Sequence, residues 1–139
     1  MTIEYTNTLS VRDYCMLRQS VGFYAITDEQ VQRALRKSDF VVVASAKGAP
    51  VGMARLISDG TQALVMDVIV HPDYQNNGIG RGLMDRIVAY FEQQKTPDML
   101  INLLTDSTKV AFYEKLGYHQ TEGIRLHLKS DQSAHNREV

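Results

Sequence analysis

Val68-Ile-Val-His-Pro-Asp-Tyr-Gln-Asn-Asn-Gly-Ile-Gly-Arg-Gly-Leu-Met84 is the stretch on which the reading of this chain turns. An apolar strand pattern stops at His71-Pro72, passes through polar residues, and reaches a glycine-rich turn that opens an amphipathic helix. Backbone N–H groups at a helix start are unpaired, and the helix dipole adds partial positive charge there. Gly78, Gly80 and Gly82 remove side chains where a ligand could approach the backbone, and Arg81 adds a full charge beside those donors. The combination suits a phosphate or pyrophosphate.

Spacing decides the kind of phosphate site. A Walker loop needs Gly-x-x-x-x-Gly-Lys-Ser/Thr, which is absent, and the third glycine of a dinucleotide fingerprint would fall on Leu83. The string present is Gln75-Asn76-Asn77-Gly78-Ile79-Gly80, of the form Gln/Arg-x-x-Gly-x-Gly/Ala. In that form it resembles the acetyl-coenzyme A loop of the GNAT superfamily of N-acetyltransferases. The alternative is a strand–helix connection whose glycines serve only tight packing.

Outward from this stretch, Ile3 and Tyr5 mark a short first strand, and Ser10 caps a helix running to Ser20. Thr27-Asp28-Glu29-Gln30 is a capping box opening a second helix, which runs to Lys37. Strands follow at 40–45, 51–57 and 62–70, with turn chemistry at Lys47-Gly48-Ala49-Pro50 and Asp59-Gly60. Leu83, Ile87, Tyr90 and Phe91 recur at helical spacing up to Gln94. A strand at 99–104, a helix at 109–116 stopped by Gly117, and closing strands at 118–121 and 124–128 complete the order. This is a mixed α/β (α+β) sheet in one domain over residues 1–129, with a polar tail at 130–139 that is expected to fray. The order resembles the GNAT fold. That resemblance implies that the fourth and fifth strands splay apart, freeing backbone groups of Val68, Ile69 and Val70 for the pantetheine amides. It also implies cofactor contacts from Gln75, Asn76, Asn77, Gly78, Ile79, Gly80, Arg81 and Gly82.

Asp106-Ser-Thr-Lys-Val-Ala-Phe-Tyr-Glu-Lys-Leu-Gly-Tyr118 is similar to the family's second cofactor segment. The resemblance implies that Tyr113 lies near the thioester sulfur and protonates the departing thiolate; the alternative is a core aromatic like Phe112. The family often carries Asn where Asp106 stands, so a substrate-amine role opens for that residue. Asp67-Val-Ile-Val-x-Pro-x-Tyr-Gln, Asp106-x-x-Lys-Val-x-Phe-Tyr and Leu17-Arg-Gln-Ser-Val-Gly-Phe23 resemble most a branch related to plant-type serotonin acetyltransferases.

Composition limits the partners. A net charge of −1 leaves no basic excess for neutralising nucleic-acid phosphates or for holding an anionic membrane surface. The one cysteine, Cys15, cannot form an internal disulfide, which fits a reducing compartment; cytoplasm is the expected location. Its place in a helix without a positioned histidine reads as packing and not as a nucleophile. His71, His119, His127 and His135 lack metal-ligand spacing, so no metal is expected.

The expected reaction is acetyl transfer from acetyl-coenzyme A, as co-substrate, to a primary amine of a small molecule. The amine attacks directly in a ternary complex, with a backbone N–H near Val70 polarising the acetyl carbonyl and Tyr113 protonating the thiolate. Asp67 and Asp106 compete as base or amine anchor, with an ion pair or turn cap as the other reading of Asp67. Phe23 and Tyr24 either stack on the acceptor or belong to the core. A non-catalytic acyl-coenzyme A sensor and a protein N-terminal or lysine acetyltransferase remain the alternatives. The resemblance implies a homodimer paired through the closing strands.

Overall fold

A computed structural model describes residues 1–95 and 97–129, and its elements follow the expected order as far as the fourth helix. The strands β1 (Ile3–Thr6), β2 (Phe40–Ala46), β3 (Ala49–Ser58), β4 (Gln62–Val70) and β5 (Leu100–Leu103) form one sheet in that spatial order. Pairing is antiparallel from β1 to β4 and parallel between β4 and β5. The helices are α1 (Val11–Ser20), α2 (Asp28–Lys37), α3 (Ile79–Gln93) and α4 (Val110–Lys115). The chain divides into two compact units, Met1–Leu104 and Thr105–Val139, and the first holds the whole sheet.

Local chemistry accounts for the helix starts. Ser10 Oγ accepts the N–H of Asp13 at 3.1 Å, closing the first turn of α1. At α2, Thr27 Oγ1 accepts the N–H of Gln30 at 3.1 Å, and Gln30 Oε1 accepts the N–H of Thr27 at 2.8 Å. The β2–β3 hairpin turns on Lys47 and Gly48, both left-handed with φ of 51° and 79°. Two such residues match the right-handed twist of the flanking strands, so Ala49 and Pro50 fall inside β3 and not in the turn.

Successive residues of β3 show how the first unit is layered. Met53 packs with Tyr14, Leu17, Val31 and Ile69 in a cluster beneath α1 and α2. Its neighbour Gly52 faces the other way: a Cβ there would meet Ile69 O at 2.9 Å and the side chains of Ile79 and Leu83 at 3.2 and 3.4 Å. Side chains alternate along a strand, so α1 with α2 and α3 cover opposite faces of the sheet.

In the second unit a short 3-10 turn, Ser107–Lys109, leads into α4, and Gly117 ends it at φ 95°. The expected strands at 118–121 and 124–128 do not form among the described residues. Ile124, Leu126 and Leu128 do alternate with polar residues, but all three are exposed. Alternation makes a strand only where N–H and C=O groups find a ladder partner, and none pairs here. The tail at 130–139 lies outside the described residues.

Two substitutions test this account by urea unfolding. Gly52→Ala should cost about 1–3 kcal/mol, because the new methyl meets backbone. Thr27→Ala, which removes the capping box, should cost about 1 kcal/mol. Both should lower the midpoint at unchanged slope.

Candidate active site

The β4–β5 pairing stops short of the residues expected to meet the ligand. The β4–β5 ladder runs from Gln62↔Leu100 to Val65↔Leu103 and stops there. Val68, Ile69 and Val70 keep β3 on one side, through Met53↔Ile69 and Gly52↔Val70, and have no ladder partner on the β5 side among the described residues.

The departure from β5 coincides with a bulge. Between the pairs Met53↔Ile69 and Arg55↔Met66, β3 has one residue and β4 has two. Asp67 absorbs the extra residue in a left-handed conformation, φ 52°. Strict alternation fails at this point: the register sets Met66 opposite Arg55, whose side chain meets that of Asp67.

The Asp67 carboxylate is 7% exposed and surrounded by donors. Arg18 Nη1 donates to Oδ1 at 2.7 Å, Arg55 Nε donates to Oδ2 at 2.8 Å, and the Tyr14 hydroxyl also donates to Oδ2. Burial first, then the bond to Asp67, pushes the Tyr14 phenol up to about 12. Two guanidiniums and a phenol thus occupy both oxygens of this carboxylate. Of the readings open in the sequence, the geometry favours the ion pair. No sequence period links positions 14, 18, 55 and 67, so the cluster was not legible before folding.

Arg18 also reaches the α1–α2 connection. Its Nη2 donates to Tyr24 O at 2.9 Å, and its Cζ stands 5.3 Å from the ring centroids of both Phe23 and Tyr24. These rings are 43% and 68% exposed, so they are not core residues.

Beyond β4 the loop is organised by its own side chains. His71 Nδ1 accepts the N–H of Asp73 at 3.1 Å across a 3-10 turn, Pro72–Tyr74, that the sequence pattern does not announce. Gln75 Nε2 donates to Val70 O at 3.0 Å, and Asn77 Nδ2 donates to Tyr74 O and Gln75 O at 3.0 and 3.1 Å. Asn76 and Gly78 are left-handed at φ 65° and 79°. Gly78 caps α3 without a side-chain acceptor, and the first turn holds no acidic residue. The amides of Ile79, Gly80 and Arg81 are thus the donors that a first helical turn leaves over. The Arg81 side chain is largely exposed, with Asp85 3.9 Å away.

Gly82 serves a different purpose. Its N–H is bonded to Gly78 O at 3.0 Å, and a Cβ at Gly82 would lie 2.0 Å from the Tyr5 hydroxyl. The geometry gives this glycine to the packing of β1 on α3, although its spacing suggested ligand approach.

The second unit carries the remaining two candidates. Asp106 caps the turn before α4 by accepting the N–H of Thr108 at 2.8 Å and the Thr108 hydroxyl. Hydrogen bonds from the Thr108 side chain, then its backbone, hold this carboxyl below its ordinary value. Tyr113 is 8% exposed, with its ring edge-on to Phe112 and Tyr118 at 4.9 and 5.9 Å. Burial, then the neighbouring Tyr118 and Asp106, pushes its phenol up to about 12. The Tyr118 hydroxyl is buried without a hydrogen-bond partner.

Among the described residues no group of three or more His, Cys, Asp or Glu comes together to hold a metal. None of the described helices is long and apolar enough to cross a membrane.

Comparison with known proteins places this fold and loop in a class. Residues 13–127 match the model of the Acetyltransferase (GNAT) domain. This chain belongs to the GNAT family of N-acetyltransferases. A rice protein named serotonin N-acetyltransferase 2, chloroplastic (Oryza sativa subsp. japonica), is 37% identical over 103 residues, covering 70% of this chain and 50% of that one. An uncharacterized N-acetyltransferase of Porphyra purpurea is 30% identical over 121 residues, covering 84% and 68%. The chain therefore spans about half of the first relative's length and about two thirds of the second's. A probable acetyltransferase from meticillin-resistant Staphylococcus aureus superposes with a TM-score of 0.84 at 27% identity, covering 93% of this chain and all of that one.

Tyrosine ionisation offers a direct check. A phenol raised in the folded state contributes stability that is complete below its unfolded value near 10 and is lost as pH rises through its folded value near 12. Absorbance at 295 nm should show tyrosinate steps near pH 12, and Tyr113→Phe should remove one of them. The same variant should lose less stability than the wild type between about pH 10 and 12.

Proposed function

We propose that this chain transfers an acetyl group from acetyl-coenzyme A to the primary amine of a small molecule, by direct attack in a ternary complex. The observation that carries the reading is the pairing of an open β4 edge from Val68 with an uncapped, acid-free helix start at Ile79–Arg81. A phosphate chain matches the second, since its charge suits free amides at a helix start. A pantetheine arm matches the first, since its amides bond to an exposed strand edge. Acetyl-coenzyme A supplies the activated acyl group as a thioester.

The residues that would hold it are Val68, Ile69 and Val70 along the edge, and the backbone of 75–81 at the loop, with Arg81 adding charge. Gln75 and Asn77 act by fixing the loop, since their amide groups are occupied with its carbonyls. Gly82 is left out of the set. A backbone N–H near Val70 is the candidate donor to the carbonyl oxygen of the reacting acyl group.

Tyr113 keeps the role that the family resemblance implies, with a change of emphasis. A thiol ionises near ~8.5, so full proton transfer from a phenol near 12 is uphill. Its contribution is a hydrogen bond to charge developing on sulfur. The amine must lose a proton before attack; both Asp67 oxygens are taken up by Arg18, Arg55 and Tyr14, and the Asp106 carboxyl is held below its ordinary value. We assign the proton to ordered water and the amine-facing surface to Phe23 and Tyr24. The name of the rice relative supports an aromatic amine as the first acceptor class to test.

Thermal melting with acetyl-coenzyme A tests the cofactor. Ligand at about 100 times its Kd adds roughly 2.7 kcal/mol, a shift of several degrees for a protein of this size. ATP and NAD should give none, and an absent acetyl-coenzyme A shift at millimolar ligand would sink the reading. Tyr113→Phe should lower kcat by about 10- to 100-fold, the worth of a hydrogen bond to a charged group, with acetyl-coenzyme A affinity nearly unchanged.

A further inference from the structure

We propose that Arg18 is the positioning residue for the acceptor: it fastens the Phe23–Tyr24 segment to the β4 bulge and so sets preference among amines. The proposal rests on the acetyltransferase reading above, and it gives a role to an arginine of the Leu17–Phe23 string, to which the sequence assigned none.

One guanidinium makes three attachments. Nη1 is bonded to Asp67 at the bulge, Nη2 to Tyr24 O in the connecting segment, and the plane lies near both exposed rings. The backbone adds a fourth, since Phe23 N–H donates to Arg18 O at 3.1 Å. Gly22, left-handed at φ 77°, turns the chain so that the segment folds back over its own helix. Residues 23–27 form no helix or strand, and these bonds help hold two large aromatic side chains in place at the surface.

The other end of the strut explains why this position matters. Asp67 directly precedes Val68–Val70, the edge assigned to the pantetheine arm. A single side chain therefore spans from the acceptor segment to the residue that bends the cofactor strand. Arg55 holds the opposite oxygen of Asp67, so the bulge keeps an anchor when Arg18 is replaced. Loss of Arg18 should free the acceptor side and spare the cofactor side.

Lysine cannot substitute. Its ammonium is a point charge on a flexible stem, whereas the planar fork bonds a carboxylate and a carbonyl at once.

The experiment compares wild type, Arg18→Met and Arg18→Lys in three readouts. Amide hydrogen exchange at residues 23–26 should accelerate about tenfold or more in both variants, the equivalent of one lost charged hydrogen bond, with β3 amides exchanging as in wild type to show that the fold is intact. The thermal shift with acetyl-coenzyme A should be preserved. With tryptamine and n-pentylamine as acceptors, KM for tryptamine should rise about tenfold, KM for acetyl-coenzyme A should hold, and the preference for tryptamine should shrink. Unchanged exchange at 23–26 in both variants overturns the proposal, and so does an equal rise of both KM values. A wild type that shows no acetyl-coenzyme A shift overturns the preceding functional reading instead, and hydrogen exchange still decides whether Arg18 fastens the segment.

Discussion

The Asp67 carboxylate, held between Arg18 and Arg55 on a left-handed backbone, is the interaction on which the site depends. A non-glycine residue in that conformation costs about 1–3 kcal/mol. Hydrogen bonds to charged partners contribute about 1.5–3 kcal/mol each, so two guanidinium bonds offset the strain. The bulge they hold lies just past the last β4–β5 ladder pair at Val65. The bulge is thus held from outside β4's own backbone, by a residue of α1 and a residue of β3.

The loop that follows divides its hydrogen-bonding groups in a way that serves an anion. Side-chain amides of Gln75 and Asn77 cover carbonyls of Val70, Tyr74 and Gln75, which would otherwise repel a phosphate. The first-turn amides of α3 receive no such cover. Donors remain and acceptors are used up, so the loop needs little reorganisation to meet its ligand. Two left-handed residues, Asn76 and Gly78, make this compact path possible, and asparagine and glycine are the residue types that tolerate it.

What was legible in the sequence was local. Ser10 and the Thr27–Gln30 box announce their helices within four residues, and the helical period from Leu83 to Phe91 is long enough to be unambiguous. The loop's path was readable because Gln75, Asn76, Asn77 and Gly78 each answer a backbone need at their own position. What was not legible was long-range. The bulge has no glycine to mark it, and the reason aspartate stands at 67 lies 49 and 12 residues away, in Arg18 and Arg55. Gly82 sat in a glycine cluster and took its meaning from that company, while the contact a side chain there would make is with Tyr5, far off in β1. The segment at 124–128 shows the opposite error. Its alternation is real, but a period of two reports a face, and a strand also needs a neighbour.

The same cluster bears on the amine's proton. Two guanidiniums surround one carboxylate, and Tyr14 stays neutral with its phenol near 12, so these four side chains carry one unbalanced positive charge. The acids nearest in sequence to the Phe23–Tyr24 segment, Asp28 and Glu29, are exposed at the start of α2 and screened by solvent. An ammonium about 8 Å from one unbalanced positive charge is disfavoured by about 2 kcal/mol at an effective dielectric constant near 20. An amine of ordinary value near ~10 is about one part in a thousand neutral at pH 7, and about 2 kcal/mol raises that share about thirtyfold. An acceptor lying against the Arg18 side of the segment therefore meets a field that favours its attacking form. On the proposed reading, the cluster would set a bias against the ammonium in place of a carboxylate base, with water carrying the proton away.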